Sequence, residues 1–136
     1  MVFLFKSLYA AYRVKEKKMR RPEVLRNKKD FSAIYSRGKS LGDRYVVIFY
    51  RNNSLDYTRT AFLASKKVGK SVQRNRARRL MKESYRCVSE NIKNSIDVIF
   101  IARNTINDAS FVQVRKSLIN ALIRAKLMEK ENGVTK

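Results

Sequence analysis

The stretch SKKVGKSVQRNRARRLMKESYR occupies residues 65–86 and combines a strongly basic composition with a helical pattern. It contains nine Lys or Arg residues and a single acid, Glu83. Apolar side chains recur three and four positions apart, which predicts an amphipathic helix over about residues 71–91. The predicted apolar face consists of Ala77, Leu80, Met81, Ser84, Tyr85 and Val88. Because the other face is cationic, this helix is expected both to pack on a core and to bind a polyanion.

Apolar segments on both sides of the basic helix predict strands. Residues 59–65 precede it, separated by a basic turn around Gly69, and residues 97–103, with the sequence DVIFIAR, follow it. Residues 44–51, with the sequence RYVVIFYR, are rich in β-branched and aromatic side chains and apolar on both faces, as in a central strand. The basic helix is therefore expected at the centre of a strand–helix–strand unit.

Two more helices complete the predicted order. Asn27 is placed to cap a helix over about residues 28–36, and Gly38 is placed to end it. The last helix is expected to begin near Asp108 or Ser110 and to end near Met128. Its packing stripe consists of Phe111, Val114, Leu118, Leu122 and Ala125. The order helix, two or three strands, basic helix, strand, helix predicts an α+β domain with helices over a small sheet.

The charge of the chain indicates a polyanionic partner. Of 136 residues, 32 are Lys or Arg and 11 are Asp or Glu, which gives a net charge of +21. Positive charges in such excess repel one another in a compact domain, and a polyanionic partner relieves this repulsion. Nucleic acid is the expected partner, and an anionic membrane surface is the alternative. The single cysteine, Cys87, excludes an intramolecular disulfide framework and is predicted to be a small core residue. It also fits a cytoplasmic location, where thiols stay reduced.

The two ends of the chain are expected to lie outside the domain. An apolar run at about residues 2–12 is followed by basic residues, whereas a secretory signal has them first, and the run is too short to span a bilayer. We predict a flexible extension over residues 1–18, with Met19 as an alternative start. A single domain is predicted over residues 19–129 and a polar tail over residues 130–136, without membrane attachment.

The usual catalytic side chains are missing from the sequence. There is no histidine, so the commonest general base and the commonest metal ligand are absent. The acids, which a two-metal nuclease would gather, are spread along the chain. They include Asp30, Asp43, Asp56, Glu83, Glu90, Asp97 and Asp108. We therefore expect a binding protein without a catalytic residue or a metal site of its own.

Cations on the basic helix are the first candidates for nucleic-acid contacts. Arg74, Arg78 and Lys82 recur four positions apart, a spacing that suits successive phosphates. A solvated charged face is the alternative reading of such a run. That alternative would interleave acids as i,i+4 partners, and Glu83 is the only acid available here.

Aromatic side chains are the second candidates. Phe31 and Tyr35 lie four apart on the first predicted helix, and Phe49 is expected on a strand face shared with Tyr45 and Val47. Exposed rings beside cations form a stacking platform for single-stranded nucleic acid. Packing into the core is the alternative for each ring.

Several segments resemble the protein subunit of bacterial ribonuclease P. The run RTAFLASKKVGKSVQRNRARRLMKESYR at residues 59–86 contains the RNR signature of that family at residues 74–76. Other segments follow the family's order: NKKDF at residues 27–31, RGKS at 37–40, VIFIAR at 98–103 and RKSLINAL at 115–122. The resemblance extends over about residues 20–128.

The resemblance implies a fold and a division of labour. The family folds as an α/β sandwich with a small mixed sheet, the ribosomal protein S5 domain 2-like fold, and its βαβ crossover is left-handed, against the general rule. Its protein joins a large catalytic RNA, and the holoenzyme is an endoribonuclease that removes the 5′ leader of precursor tRNA. The RNA performs the hydrolysis and carries the Mg²⁺ ions. No cofactor held by the protein alone and no obligate protein partner are therefore expected.

The resemblance also implies which residues bind each RNA. Those for the catalytic RNA lie in the basic turn and helix: Lys66, Lys67, Lys70, Arg74, Asn75, Arg76, Arg78, Arg79 and Lys82. Those for the leader of precursor tRNA are Phe31, Tyr35 and Phe49. Two positions depart from the family pattern. Phe49 stands where tyrosine is common, so a hydroxyl is lost and stacking is kept, and Ala61 stands where glycine is common.

Three functions remain open at the level of sequence. The first is the ribonuclease P protein subunit. The second is a basic ribosomal or other structural RNA-binding protein without a role in tRNA processing, in which the aromatic residues would belong to the core. The third is an autonomous nuclease, which the missing histidine and the spread of the acids disfavour.

Overall fold

The structure is a computed structural model that describes residues 23–129. Its elements follow in the order α1 (Lys28–Arg37), β1 (Lys39–Gly42), β2 (Val46–Asn52), β3 (Arg59–Leu63), α2 (Ser71–Arg86), β4 (Ile96–Ala102) and α3 (Phe111–Arg124). Short 3-10 helices lie on either side of β4, at Ser89–Asn91 and Asn104–Asp108. The predictions for residues 1–18 and 130–136 fall outside the described residues.

The four strands form one mixed sheet in the order β1-β2-β4-β3. Strand β2 runs antiparallel to β1 and β4, whereas β3 runs parallel to β4. Strands β3 and β4 are therefore joined through α2, which confirms the α+β class and the strand–helix–strand unit. The hand of this crossover stays a prediction from the family resemblance.

Strand β1 was not predicted as a separate strand. Its sequence, KSLG, has no β-branched residue, and its burial is slight. The strand exists because it pairs with β2 along its full length, from Lys39 opposite Tyr50 to Gly42 opposite Val47. A neighbouring strand therefore decides a conformation that local propensity does not favour.

The two faces of the sheet pack against different helices. On β4, Val98 and Phe100 belong to the main core, which includes the apolar residues of α2 and α3. Ile99 points to the other face and packs in a smaller cluster with Ile34 of α1. Helix α1 therefore lies on the opposite side of the sheet from α2 and α3.

An aromatic group joins the basic helix to the sheet. The Phe62 ring of β3 lies 5.1 Å from the Phe100 ring of β4, and the planes are nearly parallel. Tyr85 of α2 contacts both rings, with centroids 5.8 Å and 5.4 Å away. Each such pair contributes on the order of 1 kcal/mol beyond area burial, so the rings fix the end of α2 against β3 and β4.

The ends of the first helix follow from local chemistry. Asn27 caps α1 as predicted, because its Oδ1 accepts a hydrogen bond from the Lys29 backbone N–H at 2.8 Å. Gly38 ends α1, but its backbone is extended rather than left-handed. A Cβ there would lie 2.4 Å from the Ile34 oxygen and 2.5 Å from the Tyr50 oxygen, so crowding explains this glycine.

The other two helices are shorter than predicted. Helix α2 begins at the expected Ser71 but ends at Arg86, and residues 89–91 form a 3-10 turn instead. Helix α3 starts after the cap Ser110 and stops at Arg124, before the expected Met128. Lys126 adopts a positive φ of 62° two residues later, which turns the chain away from the helix. Within residues 23–129, no helix has the length and apolarity needed to cross a membrane.

Candidate nucleic-acid interface

The basic turn between β3 and α2 depends on one glycine. Gly69 has a φ of +143°, a conformation that favours glycine. A Cβ at this position would lie 1.8 Å from the Gln73 Oε1. That oxygen accepts a hydrogen bond from the Lys70 backbone N–H at 2.8 Å and so satisfies a donor at the start of α2. The turn thus sets where the exposed Lys66, Lys67 and Lys70 lie relative to the helix.

Most of the predicted cations lie together on the outward side of α2. The nine residues predicted to bind the catalytic RNA are called the basic surface below. Asn75, Arg79 and Lys82 are exposed, while Arg74 and Arg78 are half-buried along the edge of the helix. Arg78 donates a hydrogen bond to the Asn75 Oδ1, and Arg74 donates one to the Ser71 Oγ at 3.2 Å. These contacts hold two guanidinium groups in defined positions on the surface.

Arg76 differs from the rest of the basic surface. Its guanidinium donates hydrogen bonds to the backbone oxygens of Ile106 at 3.2 Å and Ala109 at 2.7 Å. Those carbonyls belong to the segment between β4 and α3, so Arg76 fastens α2 to the start of α3. The second arginine of the RNR triplet therefore has an internal role, and a contact with RNA at this position stays a prediction.

The three aromatic residues predicted to bind the leader come together. This aromatic cluster has the Tyr35 ring at its centre, 6.4 Å from the Phe31 ring and 5.0 Å from the Phe49 ring. Phe31 and Phe49 are partly buried against the small α1 cluster, whereas 44% of Tyr35 is exposed. Burial raises the pKa of the Tyr35 hydroxyl, so the phenol stays neutral. The cluster presents one accessible ring supported by two others.

Tyr45 does not lie with the aromatic cluster, contrary to the expectation from alternation. Strand β2 begins only at Val46, and Tyr45 belongs to the main core on the other face. The Tyr45 backbone N–H donates to the Ser117 Oγ of α3 at 3.1 Å. Because the regular alternation starts one residue later, it does not determine the side of Tyr45.

A strip of partly exposed apolar residues continues from the aromatic cluster across the sheet. Val47 is paired with Ile101, and Ile101 is paired with Leu63, so these three side chains point to the same face as Phe49. All three are partly exposed. They form an apolar surface on the face of the sheet that carries α1. The sequence signal for this surface is the alternation within β2 and β4, where every second residue faces α1.

Two acids that are distant in sequence meet at one guanidinium. Arg59 of β3 contacts the Asp97 carboxylate of β4 through two nitrogens, at 2.8 Å and 2.6 Å, and the Asp30 carboxylate of α1 at 3.0 Å. Asp30 and Asp97 are 67 positions apart, so their spacing along the chain does not indicate that they meet. An acid inside the apolar segment DVIFIAR was the available signal, because a buried carboxylate requires a partner.

The two candidate surfaces are separated by the sheet. The aromatic cluster lies with α1 on one face, and the basic helix α2 packs on the other through the main core. The turn at residues 64–70 connects the edge of the sheet to α2. Two nucleic-acid segments can therefore contact the protein at the same time without competing for one surface.

Similarity to known proteins identifies the family. The family model described as Ribonuclease P matches residues 19–126. The chain belongs to the ribonuclease P protein family. A ribonuclease P protein component of Clostridioides difficile is 43% identical over 108 residues, which cover 79% of this chain and 95% of that protein. One of Clostridium botulinum is 45% identical over 102 residues, which cover 74% of this chain and 92% of that protein.

Solved structures of ribonuclease P proteins have the same fold. The Staphylococcus aureus ribonuclease P protein superposes with a TM-score of 0.72 at 31% identity and covers 79% of this chain and 98% of its own. The Thermotoga maritima protein gives a TM-score of 0.68 at 34% identity and covers 75% of this chain and 96% of its own. Membership of the ribonuclease P family implies a role in tRNA 5′ processing and a ribonuclease P RNA as partner.

Within residues 23–129, no group of three or more Cys, Asp or Glu side chains converges. The Cys87 thiol packs against the main core, and burial raises its pKa, so it is a poor thiolate ligand or nucleophile.

Proposed function

We propose that this chain is the protein subunit of ribonuclease P and holds two RNA segments in one complex. The basic surface binds the catalytic RNA, and the aromatic cluster binds the 5′ leader of precursor tRNA. The complex then removes the leader by endonucleolytic cleavage and leaves the mature 5′ end of the tRNA. The protein acts by positioning, in the cytoplasm and without a further obligate protein partner.

The observation that supports this proposal most is the placement of the two surfaces. Convergent rings on one face of the sheet and a cationic helix on the other match one partner that offers unstacked bases and another that offers a folded phosphate backbone. The exposed Tyr35 ring beside partly exposed apolar residues gives the aromatic cluster a surface on which a base could stack.

The basic surface has the chemistry of a phosphate-binding face. Arginine presents a flat fork that binds a phosphate through two hydrogen bonds, and Asn75 holds the fork of Arg78 in place. Helix α2 has no acid in its first turn, so its positive end adds to the attraction for phosphates. Glu83 already contacts Arg86 at 3.1 Å near the other end of the helix.

The hydrolysis is assigned to the catalytic RNA. Among residues 23–129, no group of three or more Cys, Asp or Glu side chains could hold a metal ion. Mg²⁺ held by the RNA would supply the chemistry that activates the attacking water. The protein contributes affinity for the leader and screens repulsion between the two RNAs.

Cleavage of precursor tRNA at low Mg²⁺ tests the proposal. The three mixtures contain the RNA subunit alone, the protein alone, or both. We expect no cleavage by the protein alone, slow cleavage by the RNA alone, and cleavage at least about tenfold faster by the mixture, because cations on the protein replace part of the Mg²⁺.

Two results would contradict the proposal in different ways. Cleavage by the protein alone would show a nuclease. An unchanged rate on adding the protein would favour a structural RNA-binding role. A protein with Arg78 and Arg79 both replaced by Ala provides the matched control, since it is expected to keep its fold and lose the stimulation.

A further inference from the structure

The Arg59 guanidinium connects three elements on the α1 side of the sheet. Its Nε and one terminal nitrogen donate to the two oxygens of Asp97, at 2.8 Å and 2.6 Å, as a bidentate pair between neighbouring strands β3 and β4. Its other terminal nitrogen donates to the Asp30 Oδ2 at 3.0 Å. Asp30 lies in the first turn of α1, so the third contact reaches from the sheet to the helix.

The sheet half of this network is firmly held. The Asp97 side chain is only 5% exposed, and its Oδ1 also accepts a hydrogen bond from the Asn53 Nδ2 at 2.8 Å. The hydrogen bonds from Arg59 to Asp97 are the main reason why the pKa of the guanidinium is raised, although its burial acts in the opposite direction. Asp97 therefore fixes the position of the Arg59 guanidinium independently of Asp30.

The helix half is more weakly supported. Helix α1 rests on a small cluster in which Leu25, Ile34, Ala61 and Ile99 are the buried residues, while the main core lies on the far side of the sheet. Its last turn is fixed by the close approach of Gly38 to β2. Its first turn is joined to the sheet by the ion pair with Arg59. Phe31 follows Asp30 directly, so the ion pair holds the backbone that carries the aromatic cluster.

We propose that the Arg59–Asp30 ion pair is a positioning device for substrate. It sets the distance of α1 from the sheet, so that the Tyr35 ring, which is beside Phe31, meets the Phe49 ring edge to face before any leader is bound. The proposal rests on the proposed function of the aromatic cluster. It assigns Arg59 and Asp30 a role in discriminating precursor from mature tRNA without contact to either.

Asp30→Asn is the primary variant. The Asp30 side chain is 33% exposed, so its neutral form leaves no buried charge, and the bidentate pair with Asp97 is kept. The exposed Asp56→Asn is the matched control, because it changes the net charge equally in the loop between β2 and β3. In the holoenzyme reconstituted with the ribonuclease P RNA, Asp30→Asn is expected to bind precursor tRNA about fivefold more weakly, as for a partly lost stack. Mature tRNA affinity should stay within about twofold, and Asp56→Asn should match wild type for both substrates.

A second variant tests whether Asp30 acts through its ion pair with Arg59 or through its charge at the start of the α1 helix dipole. Arg59→Lys keeps a charge beside Asp97, but a single ammonium cannot replace the fork that holds both carboxylates. If the pair acts as one unit, Arg59→Lys and Asp30→Asn weaken precursor binding equally, and the double variant is no weaker than either. Additive losses would mean that Asp30 acts only through the helix, and this result would overturn the proposal.

The free protein offers a readout that does not depend on substrate. The rings of Tyr35 and Phe49 lie 5.0 Å apart, close enough for a nuclear Overhauser effect between their protons. We expect this signal to weaken in Asp30→Asn and to persist in Asp56→Asn. An unchanged signal together with unchanged leader preference in Asp30→Asn would overturn the positioning role. A wild-type holoenzyme without any leader preference would instead overturn the proposed function of the cluster.

Discussion

The hydroxyl of Thr60 is buried in β3 without a hydrogen bond. Thr60 is 1% exposed, and its Oγ1 has no partner among residues 23–129. A buried hydroxyl without a partner costs on the order of 1 kcal/mol or more. The β-branched shape of this side chain suits the strand, so the cost arises from the oxygen alone.

Replacing that oxygen by a methyl group should stabilise the protein. We expect Thr60→Val to raise the free energy of unfolding by about 1 kcal/mol in urea titrations. Thr58→Val is the control, because the Thr58 Oγ1 donates to the Lys93 oxygen at 2.6 Å and its loss should destabilise. Equal changes in the two variants would show that the Thr60 hydroxyl is satisfied.

Arg76 should matter for stability more than its neighbours in α2 do. Arg76→Ala removes the guanidinium hydrogen bonds to the Ile106 and Ala109 carbonyls, of which Ile106 keeps only the bond from the Ala109 backbone N–H, and we expect the free energy of unfolding to fall by about 1–3 kcal/mol. The exposed Arg79→Ala should stay within about 0.5 kcal/mol of wild type. Urea denaturation of both variants decides the matter, and equal stabilities would contradict an internal role for Arg76.

At the scale of elements, one carboxylate joins the β1–β2 turn to α3. Asp43 accepts hydrogen bonds from the Arg44 backbone N–H, from the Ser117 hydroxyl at 3.0 Å and from the Asn120 amide at 2.7 Å. Burial alone raises the pKa of Asp43, but these hydrogen bonds and the charge of Arg124 hold it below the ordinary value of 3.8. The anion is therefore the form that ties the turn to the helix.

Protonation of Asp43 at low pH should weaken the contact between the β1–β2 turn and α3. Because the pKa of Asp43 is lower in the folded than in the unfolded chain, its contribution to stability is present above about pH 4 and is lost as the pH falls through the folded value. Urea titrations across this range should show a shallower pH dependence for Asp43→Asn than for wild type. Asp56→Asn controls for the change in charge. A slope identical to wild type in Asp43→Asn would contradict the role of the anion.

Local patterns predicted the elements that carry their own signals. The start of α2 at Ser71 and the cap of α1 at Asn27 follow from glycine and asparagine chemistry close by in sequence. Strand β1 and the side of Tyr45 were missed, because a neighbouring strand and helix α3 decide them. The periodic spacing of apolar residues within one segment does not show which strands pair or which faces pack together.

The sequence named candidate binding residues but not the contacts that hold them in place. The family resemblance named the basic surface and the aromatic cluster, and the rings of Phe31, Tyr35 and Phe49 do converge. The internal role of Arg76 and the link from Arg59 to Asp30 depend on contacts between residues about 30 positions apart. No helical or strand period identifies such partners.

At the scale of the whole molecule, the net charge of +21 should make RNA binding strongly dependent on salt. If about six phosphates are neutralised, affinity for the ribonuclease P RNA should fall roughly 10³-fold between about 50 and 200 mM monovalent salt at fixed Mg²⁺. Filter binding across that range measures the slope. A flat profile would contradict the phosphate-binding role of the basic surface.

The central claim is that the two faces of the sheet serve two different RNAs. The most direct measurement compares Arg78→Ala and Tyr35→Ala for affinity to the ribonuclease P RNA and, in the holoenzyme, for preference of precursor over mature tRNA. Arg78→Ala should weaken RNA binding about tenfold and keep the leader preference. Tyr35→Ala, which alters an exposed ring, should keep RNA binding within about twofold and reduce the leader preference about fivefold or more. If either variant lost affinity for the ribonuclease P RNA and preference for precursor tRNA to the same extent, the result would contradict the division between the two surfaces.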